Sequence, residues 1–285
     1  AFRILRGKDL HVEIPIAKEE QKKPRLPVVS SFIDGRLIKS AFESAQVSNA
    51  EITFYDAASD RAWSAPDTQI SLRRNETGLV ARVVGNIDMG GMKAGLDANA
   101  TYNENDGVID VFVTGERFPV GDLLSTFYGD RAAIIEGPVS GEAAISFTAD
   151  GDVKASKFDA ALGPGALTLG GARREVANIA WVAAFDPAEN RFFIENFAFD
   201  IDGARGEVAG EVSISFGDDI RKPERINFDL QSNEVVITAP EFLEGPLAFS
   251  NNRLRGRYAV QDRRLEADSF EISVEGLRGS GALSF

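Results

Sequence analysis

Along most of this chain apolar and polar residues alternate one for one. Ile70 and Leu72 alternate with Ser71 and Arg73, and Leu96, Ala98, Ala100 and Tyr102 with Asp97, Asn99 and Thr101. Ile145 and Phe147 are flanked by Ser146 and Thr148. The same alternation returns in Phe197-Ala-Phe-Asp-Ile201 and in Phe270-Glu-Ile-Ser-Val274. A period of two belongs to the β-strand, whose successive side chains point to opposite faces, so these strands are dry on one side and wet on the other. Turn-forming clusters separate them: Asn75-Glu-Thr-Gly78, Asn103-Glu-Asn-Asp-Gly107, Ala149-Asp-Gly-Asp152, Asp186-Pro-Ala-Glu-Asn190, Asp202-Gly203 and Gln261-Asp262. Connections this short join antiparallel neighbours and leave no room for a crossover. The pattern predicts a mainly β fold of roughly sixteen strands, an extended, curled antiparallel meander sheet.

Helical spacing is scarce. Pro27 to Glu43 carries Val28, Phe32, Leu37, Ala41 and Phe42, interrupted by Gly35, and Pro119 to Gly129 reads as a short helix bridging the sheet. Lys18 to Arg25 is a charged linker. The expected organisation is a single repeat-built segment: a strand and helical lead-in over 1–45, a first meander over 46–118, a short helix over 119–130 and further meander repeats over 131–285. The chain opens and closes inside strand-like patterns, which predicts a piece of a longer protein.

The chain also repeats itself. Phe197-Ala-Phe-Asp-Ile-Asp-Gly-Ala-Arg-Gly206 and Phe270-Glu-Ile-Ser-Val-Glu-Gly-Leu-Arg-Gly279 align 73 residues apart, and each precedes a strand ending in Ser-Phe. A looser copy runs from Ile52 to Met89. Each copy reads strand, turn, strand, and a one-faced meander gains stability by extending its sheet with the next copy.

Composition narrows the function. A net charge of −13 with pI about 4.7 argues against a nucleic-acid partner, which needs a basic stripe. The 20 Phe against 4 Tyr and 2 Trp favour apolar packing or apolar ligands over polar aromatic recognition. The absence of cysteine removes disulfides, thiolate metal sites and thiol nucleophiles, and leaves the redox compartment open. No apolar run approaches the ~20 residues that span a bilayer.

Candidate chemistry is thin. The single histidine, His11, has no nucleophile motif around it, so a hydrolase triad is not expected. Asp200-Ile-Asp-Gly203 lacks the later ligands of a calcium loop, and Asp218-Asp219 and the Asp150/Asp152 pair read as turn residues. Gly85, Gly90, Gly91 and Gly95 lack the ending of a phosphate loop. No catalytic residue, metal or cofactor is expected. The feature left as functional surface is a phenylalanine-rich stripe: Phe54, Leu72, Ala98, Phe112, Phe147, Phe158, Trp181, Phe197, Phe199, Phe228, Tyr258, Phe270 and Ile272. The same stripe also fits the interior of a closed sandwich or barrel.

Several segments resemble one known family. Val47-Ser-Asn-Ala-Glu-Ile-Thr-Phe-Tyr-Asp56, then Trp63, then Thr68-Gln-Ile-Ser-Leu72 is similar to the AsmA-like pattern. So are Gly137-Pro-Val-Ser-Gly141 before Ala143-Ala-Ile-Ser-Phe147, and Leu254-Arg-Gly-Arg-Tyr258 before Arg264-Leu-Glu-Ala-Asp268. The likeness covers about residues 45–285. It implies a non-enzymatic relative of AsmA, YhdP and TamB: a bridge-like lipid transfer segment in the periplasm of a Gram-negative envelope, its parent chain anchored in the inner membrane. Its implied partners are phospholipid or another acyl lipid, with other envelope proteins at either end of the groove. Sixteen strands side by side would extend about 75 Å, and acyl chains on an apolar trough gain about 0.8 kcal/mol per buried CH₂. Two other readings stay open: a structural or protein-binding β-repeat domain with a closed core, and a lectin-like carbohydrate-binding domain, for which Trp63 and Trp181 are the natural platforms.

Overall fold

The computed structural model describes residues 43–56, 61–89, 91–119, 121, 135–149, 151–169, 172–216, 223–238, 244–260, 262, 264–274 and 277–284. His11, the lead-in and linker before residue 43, and nearly all of the 27–43 and 119–130 helical stretches lie outside them. So do Gly90, Asp150 and the Asp218-Asp219 pair.

The chain divides into two compact units. The first is Ala1–Val153 with Gly165–Arg173, and the second is Lys154–Pro164 with Arg174–Phe285. The first holds β1 (Ser44–Asp56), β2 (Arg61–Arg74), β3 (Gly78–Met89), β4 (Met92–Asn103), β5 (Val108–Pro119), β6 (Ile135–Glu136), β7 (Pro138–Thr148) and β9 (Gly165–Leu169). The second is built on β8 (Val153–Leu162), β10 (Ala172–Asp186), β11 (Arg191–Ile201), β12 (Ala204–Phe216), β13 (Pro223–Ile237), β14 (Leu247–Ala259), β15 (Arg264–Val274) and β16 (Leu277–Ser284). Pairing in the first unit runs β1-β2-β3-β4-β5-β7, with β6 paired to β9 beside it. In the second it runs β8-β10-β11-β12-β13-β14-β15-β16. Every registered ladder within these two orders is antiparallel, and neither order returns on itself to close a barrel. The expected curled meander of antiparallel strands is therefore the fold.

The turns form where their residue types demand. Asn75 Oδ1 accepts from the backbone N–H of Thr77 (3.1 Å) and Gly78 (2.7 Å), closing the β2–β3 loop. Asn103 Oδ1 accepts from Asn105 N–H and Asp106 Oδ1 from Val108 N–H in the β4–β5 loop, where Gly107 takes φ +68°. Asp186 Oδ1 accepts from Ala188 N–H before β11. Asp202 (φ +50°) and Gly203 (φ +82°) form the two-residue β11–β12 turn, with both central residues left-handed as a turn matched to strand twist requires.

The internal repeat is structural. Phe199↔Gly206, Asp200↔Arg205 and Ile201↔Ala204 pair across β11–β12. Seventy-three residues on, Ile272↔Gly279, Ser273↔Arg278 and Val274↔Leu277 pair across β15–β16 in the same register.

Within each unit nearly every described strand belongs to the meander, and only the short β6–β9 pair stands aside. Within neither unit do further described strands remain to build a facing layer. Burial agrees: among the described residues the buried large apolar side chains are Ile52, Ile109, Phe147, Leu162, Val176 and Ile179. A small cluster of Ala50, Ile52 and Ala65, with Ile70 and Ile87 against it, anchors the β1–β2 end.

Candidate functional site: an apolar face ruled by cross-strand rows

Register converts the alternation into rows. In the first unit Ile70, Val83, Ala98, Val113 and Ala143 stand opposite one another across five strands. Leu72, Ala81, Ala100, Val111 and Ile145 form the next row, and Tyr102, Ile109 and Phe147 the next. In the second unit one row crosses all eight strands: Phe158, Ala183, Ile194, Gly210, Leu230, Leu254, Phe270, Gly281. Seven spacings of ~4.8 Å make it roughly 34 Å long. On either side run Phe185, Phe192, Val212, Phe228, Gly256, Ala267 and Leu162, Ile179, Phe199, Gly206, Val235, Phe249, Val274. Most of these side chains are half-buried, and Ile272 (36%) and Leu277 (77%) are exposed.

Glycine opposite an aromatic is a recurring device on this face. Phe199 faces Gly206, Phe228 faces Gly256 and Phe270 faces Gly281. A Cβ on Gly281 would meet the Phe270 ring at 2.9 Å, so that ring lies flat across the neighbouring strand. Within β5, a Cβ on Gly115 would meet the Phe118 ring at the same distance. Laid-down rings make a smooth apolar surface instead of a row of upright knobs. Phe185 and Phe192 add a ring pair at 4.6 Å, and Phe197 and Phe199 another at 6.0 Å.

The opposite face carries charge. Arg82 on β3 donates to both Asp97 oxygens on β4 (3.1 and 2.7 Å), and Arg253 on β14 does the same to Asp229 on β13 (3.0 and 2.9 Å). These hydrogen bonds hold the Asp97 and Asp229 carboxyls below their ordinary range, and each arginine is raised in return. Arg191 is raised chiefly by its hydrogen bond to Glu211, and it lies 5.6 Å over the Phe193 ring. Lys157 pairs with Glu195 at 3.2 Å, and Ser146 hydrogen-bonds Asp110. Opposite charges on adjacent strands favour the native register, because a one-residue slip would turn the charged face inward.

The stripe read from sequence is sorted by this geometry. Leu72, Ala98 and Phe147 share the apolar face of the first unit. Phe158, Trp181, Phe197, Phe199, Phe228, Tyr258, Phe270 and Ile272 share that of the second. Phe54 pairs with Trp63 across β1–β2, its side chain being outside the description. Phe112 is a correction. It pairs with Asn99 and Ala144 in the ladder positions of the polar face and is 42% exposed there. Its neighbours Val111 and Val113 take the apolar side with Ile109, and the polar residues Asp110 and Thr114, two positions to either side of Phe112, mark its face as the polar one. Sequence reasoning also missed Phe185, Phe192, Val212, Phe249 and Leu254, although Val212-Ser-Ile214 carries the period-2 signal.

Among the described residues no group of three or more His, Asp or Glu side chains is placed to hold a metal ion, and no helix is long and apolar enough to cross a membrane. No family model matches the chain, and neither the curated proteins nor the solved structures contain a match to it.

Proposed function

We propose that this chain is a non-catalytic lipid-binding segment of the AsmA-like kind, which carries phospholipid acyl chains on the apolar faces of its sheets. The observation that carries the reading is the eight-strand row from Phe158 to Gly281, apolar throughout, with no described strand of its own unit left over to cover it. Acyl chains laid along such a row leave water without any specific chemistry, at about 0.8 kcal/mol per CH₂ buried. Neighbouring rows are nearly alike, so a chain shifts between them at small cost, which is what transfer needs. The setting that goes with this reading is the periplasm of a Gram-negative envelope. The parent chain is anchored in the inner membrane, other envelope proteins receive lipid at the ends, and the process serves outer-membrane maintenance.

The test is organic extraction of the purified protein followed by mass spectrometry. The expected result is co-purifying phospholipid, lost in a Phe197→Asp/Phe270→Asp double variant and retained in Phe112→Asp, whose side chain is on the polar face. Far-UV circular dichroism checks that both variants keep their strands. A folded wild-type protein free of lipid, or equal loss in Phe112→Asp, overturns the reading and favours a structural repeat domain.

A further inference from the structure

The second unit has a hollow at the register shifts of β11–β14, lined mainly by polar groups and also by Phe199, Gly206 and Val208 of the apolar face. It has a volume of about 930 Å³, the bulk volume of about thirty waters and within the range of ligand sites. Its origin lies in the ladder. Between β12 and β13 the registered pairs stop at Gly206↔Val235 and resume at Ala209↔Gln231, so Glu207 and Val208, paired to β11 on one side, have no ladder partners on β13. Register shifts on neighbouring ladders lie alongside, between Ile194 and Phe197 and between Ser250 and Arg253, and Asn251 between the latter takes φ +51°. Bulges in successive strands bend the sheet and free backbone N–H and C=O groups for other partners. Ser232 Oγ takes the carbonyl of Glu234, while Asn252 Oδ1 is buried with no donor.

The lining decides the ligand class. Six amide side chains surround the hollow: Asn178, Asn196, Gln231, Asn233, Asn251 and Asn252. Each amide both donates and accepts, as a hydroxyl does. The charged groups are Glu195, Asp200, Glu207 and Glu234 against Arg205 and Arg253, a net negative lining that rejects anions. Arg253 is engaged by Asp229, and Glu195 by Lys157. Ala198, Phe199, Val208, Ala209 and Val236 supply the apolar part of the lining, and the polar part prevails. We propose that this hollow binds a neutral, hydroxyl-rich ligand, a saccharide, through the amides and the carboxylates of Asp200 and Glu207, which match vicinal hydroxyls.

The test is saturation-transfer NMR and calorimetry on the full chain with a panel of neutral tetrasaccharides: maltotetraose, cellotetraose and chitotetraose. At least one is expected to bind. A Glu207→Gln/Asn233→Ala double variant is expected to weaken that binding at least tenfold, and Glu142→Gln in the first unit to leave it unchanged. Both altered side chains are exposed, so retention of the parent's circular dichroism is expected and is checked. Binding by no member of the panel overturns the proposal. So does binding untouched by the double variant, or binding of spermine or an Ala/Gly peptide with the saccharides silent. Phospholipid content is measured on the same samples. Its loss without loss of saccharide binding would count against the acyl reading alone.

Discussion

Arg82 and Arg253 each clamp one aspartate with two hydrogen bonds, and both pairs sit on the wet face, where their effect on stability has a definite sign. Asp97 and Asp229 have lower pKa values folded than unfolded, chiefly through the hydrogen bonds from Arg82 and Arg253. A depressed carboxyl contributes stability that is complete above the unfolded value, ~3.9, and is lost as pH falls through the folded one. Both pairs are substantially exposed, so solvent screening keeps the contribution small and 1 M salt reduces it further. An Asp97→Asn/Asp229→Asn variant is expected to melt below the parent at pH 7, and the gap is expected to narrow as pH falls below the ordinary carboxylate range towards the lowered folded values. A gap that did not narrow would assign the loss to packing. At this scale the sequence was legible wherever a residue had polar neighbours on both sides. Leu72 and Ala98 were placed by alternation alone, and Phe112 was misplaced because its own apolar side chain outweighed Asp110 and Thr114, which set the parity two residues to either side.

Hairpins were legible because their causes are local. Asn75, Asp186 and the Asp202-Gly203 pair each form their turn with atoms two or three residues away, or with their own backbone conformation. The 73-residue repeat was legible for the same reason. Bulges were not, since the shift between Gly206 and Ala209 depends on what β13 presents at 231–235. The repeat also exposes what a second neighbour does to one position. Gly206 lies between β11 and β13, and a Cβ there would meet the Glu234 carbonyl oxygen and Val235 Cγ2, both at 3.0 Å, and the Phe199 ring at 3.3 Å. Its counterpart Gly279 lies on β16, which pairs with β15 alone, and its nearest contact would be Ile272 Cγ1 at an ordinary 3.5 Å. Gly206→Ala is therefore expected to destabilise by about 1–3 kcal/mol through overpacking. Gly279→Ala is expected to be neutral or to stabilise by about 0.4–1 kcal/mol through the unfolded chain's lost freedom. Chemical denaturation of the two variants reads the difference. Equal effects would mean that the β12–β13 gap relaxes enough to admit a methyl group.

For the whole molecule, alternation could not distinguish an open sheet from a sandwich, because a strand needs one dry face in either. What separates them is whether strands remain to form a second layer, and that depends on pairing order. Here sequence order and pairing order coincide almost throughout each unit, so the meander consumes its strands and the apolar rows keep part of their surface in water. Such a face has a thermodynamic signature that a filled core lacks. Covering apolar surface lowers heat capacity by about 0.45 cal/mol/K per Å², so a single-chain amphiphile that removes roughly 400 Å² from water, counting both partners, gives a ΔCp of about −0.2 kcal/mol/K. Titrating delipidated protein with lysophosphatidylcholine below its micelle concentration at several temperatures is expected to give that negative slope. Phe197→Asp/Phe270→Asp is expected to abolish it, and Phe112→Asp to retain it. The enthalpy at any one temperature decides nothing, since apolar binding to a preformed surface takes either sign. The slope follows the area covered, and a slope of zero in a protein that still binds the amphiphile would place the contact on the charged face, where head-group pairing with Arg82, Asp97 or Asp229 needs no apolar row.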